Sequence, residues 1–129
     1  MDNKKKKILI IEDEPPMLNI LRDKLVESGW ETLTAQNGEE GLQIALTQHP
    51  DLILLDILLP KMNGTLTISK LRQDPWGKTI PVIMLTNVSP DTDKDLQAIV
   101  KNQPAYYFVK SDIELTTLTE KIKGIFQET

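Results

Sequence analysis

Short apolar runs alternate with amphipathic stretches five times along the chain. The apolar runs lie at about 7–11, 31–35, 51–55, 81–85 and 105–109. The stretches with helical spacing lie at about 15–28, 37–48, 64–73, 91–102 and 113–127. The first, third and fourth runs are apolar almost throughout, which is typical of strands that helices cover on both faces. We therefore predict an α/β fold with a parallel five-stranded sheet that five helices cover on both faces.

The composition favours a single domain over residues 1–129, with residues 1–6 as a basic N-terminal tail. The chain has 129 residues, of which 40% are hydrophobic, enough for one core. Its formal charge of −4 argues against direct nucleic-acid binding by this chain. It has no cysteine, which excludes disulfides and thiolate chemistry. No apolar run approaches the roughly 20 residues of a membrane span, and we expect a cytoplasmic protein without membrane association.

Acidic residues follow two of the apolar runs at the point where each predicted strand ends. Glu12 and Asp13 follow the first run, and Asp56 follows the third. Open parallel sheets build their ligand sites outside the carboxyl ends of the strands. The adjacent pair alone would equally fit a helix cap, with Asp13 or Glu14 before Pro15. Together the three carboxylates would repel one another unless a cation neutralised them, and oxygen ligands of this kind suit Mg²⁺, or Mn²⁺ in its place.

Thr86 and Lys110 follow the fourth and fifth apolar runs and supply complementary groups. A hydroxyl can donate to one phosphoryl oxygen, and a lysine offers a point charge to another. With a metal ion beside them, these groups would stabilise a phosphoryl group in transfer to Asp56 as the attacking carboxylate.

The chain resembles the receiver domain of two-component response regulators. The resemblance rests on residues 8–15, 50–64, 81–86 and 107–110, and its most specific part is Asp56 through Pro60 with Gly64. It implies a flavodoxin-like fold with a doubly wound five-stranded sheet in the order 2-1-3-4-5 and five surrounding helices. It also implies that Asp56 accepts a phosphoryl group from a histidine kinase, a histidine phosphotransfer protein or a small phosphodonor.

The same resemblance implies a role for each matching position. Asp13 would bind the metal directly and Glu12 through water, and Leu58 would add its backbone carbonyl. Thr86 would be the switch hydroxyl and Lys110 the lysine paired with the acyl phosphate. Tyr107 would be the aromatic switch residue.

The output surface would then comprise the fourth helix, the fifth strand and the fifth helix. The downstream partner stays unknown from the sequence. The sequence leaves open whether phosphorylation leads two copies to form a homodimer through the fifth helix.

Two departures from the family pattern support an alternative function. Ser111 stands where a proline is common, and Asn87 where a small residue is typical. A degenerate receiver that binds proteins without phosphorylation is therefore the second hypothesis.

Two further classes fit the residues less well. A flavin or nucleotide binder needs a phosphate-cradling loop after the first strand, where this chain has acidic residues and prolines. An aspartate-based phosphatase needs an acid where Leu58 stands. We therefore expect no enzyme beyond the chain's own phosphotransfer and slow autodephosphorylation.

Overall fold

One parallel sheet forms the centre of the protein. The computed structural model describes residues 5–86, 104, 106–109 and 114–127. The strands are β1 (Lys7–Ile11), β2 (Glu31–Ala35), β3 (Leu52–Asp56), β4 (Val82–Thr86) and β5 (Tyr106–Val109). Every pairing is parallel, and the order across the sheet is β2-β1-β3-β4-β5. This is the order expected from the resemblance.

Helices cover both faces of the sheet. They are α1 (Pro15–Glu27), α2 (Gly38–Gln48), α3 (Gly64–Gln73) and α4 (Leu115–Gln127). The described part of the chain thus contains four helices and not the five predicted, because the stretch at about 91–102 lies outside it. None of the helices in the described part is long and apolar enough to cross a membrane.

The core divides into two clusters because side chains alternate between the faces of each strand. Leu9, Ile11, Ile53 and Leu55 pack with residues of α2 and α3 on one face. On the other face, Ile8, Ile10, Leu52 and Leu54 pack with α1 and α4. All eight side chains are at most 1% exposed. The continuous apolar runs therefore mark strands buried on both sides, as predicted.

Local sequence signals set most of the helix ends. Pro15 occupies the first turn of α1, and beyond its C-terminus Gly29 adopts a φ of 98°, a conformation that glycine tolerates best. Asn37 caps α2 by accepting a hydrogen bond from the backbone N–H of Glu40 at 2.8 Å. The predicted acidic side-chain cap of α1 was wrong. Glu14 holds the N-cap position without a capping bond, and the first turn opens on two prolines, which donate no N–H.

Strands β3 and β4 end one residue later than predicted. Asp56 is the last residue of β3 and pairs with Leu85, while Thr86 ends β4 and pairs with Val109. At both positions the backbone finds a hydrogen-bonding partner on the neighbouring strand. The strand therefore continues although the side chain changes from apolar to polar. The sheet itself therefore fixes the backbone of Asp56.

Candidate functional site

Three carboxylates meet at the C-terminal edge of the sheet. Glu12, Asp13 and Asp56 each offer an oxygen, and these oxygens all lie within 4.8 Å of one another. Glu12 is 1% exposed and Asp56 4% exposed, while Asp13 is half-buried. Buried carboxylates this close are costly unless a positive charge compensates them. The structure therefore brings together the three acidic residues that the sequence singled out.

The strand order explains why these residues meet. Strands β1 and β3 are neighbours, and Ile11 pairs with Leu55, so Glu12 and Asp56 follow at the same level of the sheet. The chain also winds in opposite directions from these two strands, with β2 on one side and β4 on the other. Doubly wound sheets bind ligands at such a reversal point, outside the strand ends.

Backbone groups orient the two buried carboxylates. The N–H of Glu14 donates to Glu12 Oε2 at 3.1 Å, and the N–H of Leu58 donates to Asp56 Oδ1 at 3.2 Å. The N–H of Glu12 donates to the carbonyl of Ala35 at 3.0 Å. These donors were not predicted from the sequence. In both side-chain bonds the N–H belongs to the residue two positions after the carboxylate, a spacing common in short polar turns. That spacing is the sequence signal from which the donors could have been predicted.

The loop between β3 and α3 is tied back to the end of the strand. The N–H of Ile57 donates to the carbonyl of Leu85 at 3.2 Å, and the N–H of Gly64 donates to the carbonyl of Ile57 at 2.7 Å. A Cβ atom on Gly64 would overlap the carbonyl oxygen of Asp56. The Leu58 side chain points away from the core and is 57% exposed. The close approach of Gly64 thus closes the loop beside Asp56.

The other predicted site residues are described only in part. The backbones of Thr86 and Tyr107 lie in β4 and β5, where Tyr107 pairs with Met84. Lys110, which directly follows the last residue of β5 in the sequence, lies outside the described residues. Asn87 and Ser111 lie outside them too. Their predicted roles stay predictions.

The donor set suits a hard divalent cation. Three carboxylates provide oxygen ligands, and no thiolate is available in a chain without cysteine. Mg²⁺ takes oxygen ligands and retains several waters, which fits a site with one half-buried member. The residues present therefore fit a magnesium or manganese ion.

Comparison with known proteins identifies one family. The family model described as "Response regulator receiver domain" matches residues 8–123, nearly the whole chain. That match includes every candidate site residue at the sheet edge.

Two curated relatives differ in how much of their length the match covers. The alkaline phosphatase synthesis transcriptional regulatory protein PhoP of Bacillus subtilis is 42% identical over 91 residues, or 70% of this chain. The chain spans only 37% of that protein's length. Protein PilH of Pseudomonas aeruginosa is 32% identical over 119 residues, covering 92% of this chain and 96% of that protein.

A solved structure is also similar over nearly the whole chain. The phosphorylated cyanobacterial phytochrome response regulator RcpA has a TM-score of 0.77 and 30% sequence identity. The match covers 95% of this chain and 91% of that chain.

Proposed function

The chain belongs to the response regulator receiver domain family of two-component signal transduction, and we propose that Asp56 accepts a phosphoryl group from a histidine kinase or a histidine phosphotransfer protein. One observation carries this proposal: a buried Asp56 lies with Glu12 and Asp13 at the reversal point of the sheet, their oxygens within 4.8 Å. A carboxylate with a purely structural role would not need two acidic neighbours. A phosphoacceptor that works with a metal ion needs them as further ligands of that ion.

Glu12, Asp13 and Asp56, with the backbone carbonyl of Leu58, would hold Mg²⁺ or Mn²⁺. When bound, the cation would neutralise the charge that gathers on the phosphoryl oxygens during transfer. The fit rests on the all-oxygen donor set and on the burial of two of the three carboxylates. Family membership supports the same assignment.

In the proposed step, a carboxylate oxygen of Asp56 attacks the phosphorus atom of phosphohistidine. The new O–P bond forms as the P–N bond breaks, and the electron pair stays on the imidazole nitrogen, which takes up a proton. The product is an aspartyl phosphate on this chain and a free histidine on the donor. The N–H of Leu58, now 3.2 Å from Asp56 Oδ1, holds the carboxylate in place for the attack.

Thr86, Tyr107 and Lys110 would convert phosphorylation into a change of surface. Thr86 would donate to the acyl phosphate, Lys110 would pair with it, and Tyr107 would change rotamer. The output surface would comprise the fourth predicted helix at about 91–102, strand β5 and α4, which is the fifth predicted helix, and it would bind a downstream protein or a second copy. The proposal also includes a single domain over residues 1–129, with residues 1–6 as its tail, in the cytoplasm.

The phosphorylated form should be long-lived, and the chain should not turn over an external substrate. The exposed side chain of Leu58 lies two residues after Asp56 and is apolar, so it cannot hold an attacking water. We expect Leu58→Glu, which adds a water-binding carboxylate, to shorten the lifetime in a phosphate-release assay. The matched control is Leu66→Glu, which changes an exposed leucine of α3, away from the loop that carries Leu58. A wild-type half-life of seconds would count against a long-lived phosphorylated form.

Intact-mass analysis after incubation with acetyl phosphate tests the function. With Mg²⁺ the wild-type chain should gain one phosphoryl group, and without Mg²⁺ the gain should be lost. Asp56→Asn should abolish the gain, and Asp13→Asn should weaken it by removing a metal ligand. Asp23→Asn, an exposed position on α1, should behave as wild type.

The opposite results would point to the second hypothesis. If the folded chain binds Mg²⁺ but gains no phosphoryl group at saturating donor, it is a protein-interaction module of the receiver fold. Ser111→Pro and Asn87→Ala would then be the first changes to restore activity.

A further inference from the structure

A groove of about 420 Å³ runs between α2 and α3 on the surface of the protein. The two helices pack side by side on the same face of the sheet. The floor of the groove is apolar and consists of Leu42, Leu46 and Met62. Met62 is 7% exposed and the two leucines are partly buried against the core, so the floor is firmly packed.

The α2 wall of the groove is a regular helical stripe. Its residues are Glu39, Leu42, Gln43, Leu46 and Thr47, at positions i, i+3, i+4, i+7 and i+8. Eight residue steps of a helix span about 12 Å. An amphipathic helix that binds in an apolar groove does so through its own apolar anchors at i, i+3, i+4 and i+7, which span about two turns. The wall therefore matches about two turns of a helix laid along it.

The rim carries two opposite charges. Glu39 lies in the first turn of α2, and Lys70 lies in the last turn of α3. Both side chains are exposed, and among the described residues neither takes part in a salt bridge. An occupant with both basic and acidic residues beside an apolar stripe would complement this rim.

A second copy of the chain is a poor occupant by comparison. A symmetric pairing would bring the exposed ridge of α2 into the groove, and that ridge contains Glu40, Gln43 and Thr47. Such polar side chains would leave the leucine and methionine floor without apolar partners. The groove therefore favours a helix with an apolar stripe, which α2 does not present outward.

We propose that the groove between α2 and α3 binds an amphipathic helix of a partner protein. Leucine-type side chains of that helix would contact Leu42, Leu46 and Met62. Its basic residues would lie toward Glu39 and its acidic residues toward Lys70. The proposal does not depend on phosphorylation of Asp56.

Two synthetic helical peptides of about three turns test this proposal. Both carry leucines at i, i+3, i+4 and i+7, one with lysines and the other with glutamates beside them. The full chain, labelled with ¹⁵N, is titrated with each peptide and followed by NMR. Chemical-shift changes should cluster in residues 39–47 and 62–70. A peptide with serines in place of the leucines should produce none.

Charge reversal on the rim gives a prediction that does not depend on the direction of the bound helix. Lys70→Glu makes both rim charges acidic and should favour the lysine peptide by about fivefold, the scale of exposed ion pairs. Glu39→Lys should favour the glutamate peptide similarly. Lys78→Glu and Glu27→Lys change exposed charges outside the groove and should produce no such preference.

Three results would overturn the proposal. The first is the absence of shifts in the groove, or shifts confined to other surfaces. The second is a peptide preference that both rim variants leave unchanged. The third is concentration-dependent shifts of the same groove residues without any peptide, which would assign the groove to a second copy.

Discussion

At the scale of single residues, the geometry beside Asp56 depends on the absence of one side chain. Gly64 donates its N–H to the carbonyl of Ile57 at 2.7 Å and lies against the backbone of Asp56. A methyl group at this position would overlap the carbonyl oxygen of Asp56. Backbone atoms cannot move aside as the end of a flexible side chain can. The loop after β3 therefore requires glycine for space.

Gly64→Ala should lower the free energy of unfolding by about 1–3 kcal/mol, the usual cost of forced overpacking. Urea unfolding followed by circular dichroism measures this change. Gly124→Ala is the matched control, because among the described residues nothing beyond its chain neighbours and the backbone of its own helix lies within 4 Å of its Cβ position in α4. That variant should be stabilised by up to about 1 kcal/mol through helix propensity. Equal effects of the two changes would contradict the steric argument.

The sequence alone located the acidic residues but not what orients them. Glu12, Asp13 and Asp56 could be placed together because each follows a continuous apolar run, and parallel strands end at one edge. The backbone bonds from Glu14 and Leu58 could not be placed, because they depend on turn geometry after each strand. The side-chain positions of Thr86 and Tyr107 stay predictions, because the structure describes only the backbones of these two residues.

At the scale of elements, the connection from α3 to β4 is stabilised by a half-buried arginine. Arg72 donates from Nη1 to the carbonyls of Gly77 and Ile80 at 2.8 and 2.7 Å. Asp74 Oδ2 accepts hydrogen bonds from the N–H groups of Trp76 and Gly77. Burial lowers the pKa of Arg72, although arginine stays protonated throughout the physiological range. The connection is therefore fixed by side chains, without regular secondary structure.

Arg72→Ala should destabilise the protein by about 1–3 kcal/mol, because it leaves two partly buried carbonyls without these donors. Thermal unfolding of the variant provides the measurement. Arg22→Ala removes an arginine on the surface of α1 whose partners, within the part of the chain that the structure describes, are Asn19 and Asp23, and it should cost less than about 1 kcal/mol. If the Arg22 change costs as much as the Arg72 change, Arg72 does not stabilise the connection.

Element boundaries followed from the sequence where a local signal exists. Asn37 and Gly29 mark helix ends through a cap and a positive φ, and the strands were placed to within one residue. The last residues of β3 and β4 were missed because their pairing partners come from other strands. The role of Arg72 was missed because its acceptors are set by the path of the following loop.

At the scale of the whole molecule, the site follows from the winding of the sheet. Strands β1 and β3 lie together at the centre, and the chain turns away from them in opposite directions. Apolar strands buried on both faces force helices onto both sides, so functional groups can reach solvent only at the strand ends. The periodicity of the sequence predicted a parallel sheet covered on both faces, whereas its strand order was implied by the resemblance to receiver domains. The groove between α2 and α3 was not predicted, because it arises from how two helices pack.

Borohydride reduction followed by peptide mapping determines whether Asp56 itself carries the phosphoryl group. Borohydride converts an aspartyl phosphate into homoserine, which marks the modified position permanently. After incubation with acetyl phosphate and Mg²⁺, we expect homoserine at position 56 and none in Asp56→Asn. Homoserine at Asp13 or at another aspartate, with position 56 unchanged, would contradict the assignment of Asp56 as the phosphoacceptor.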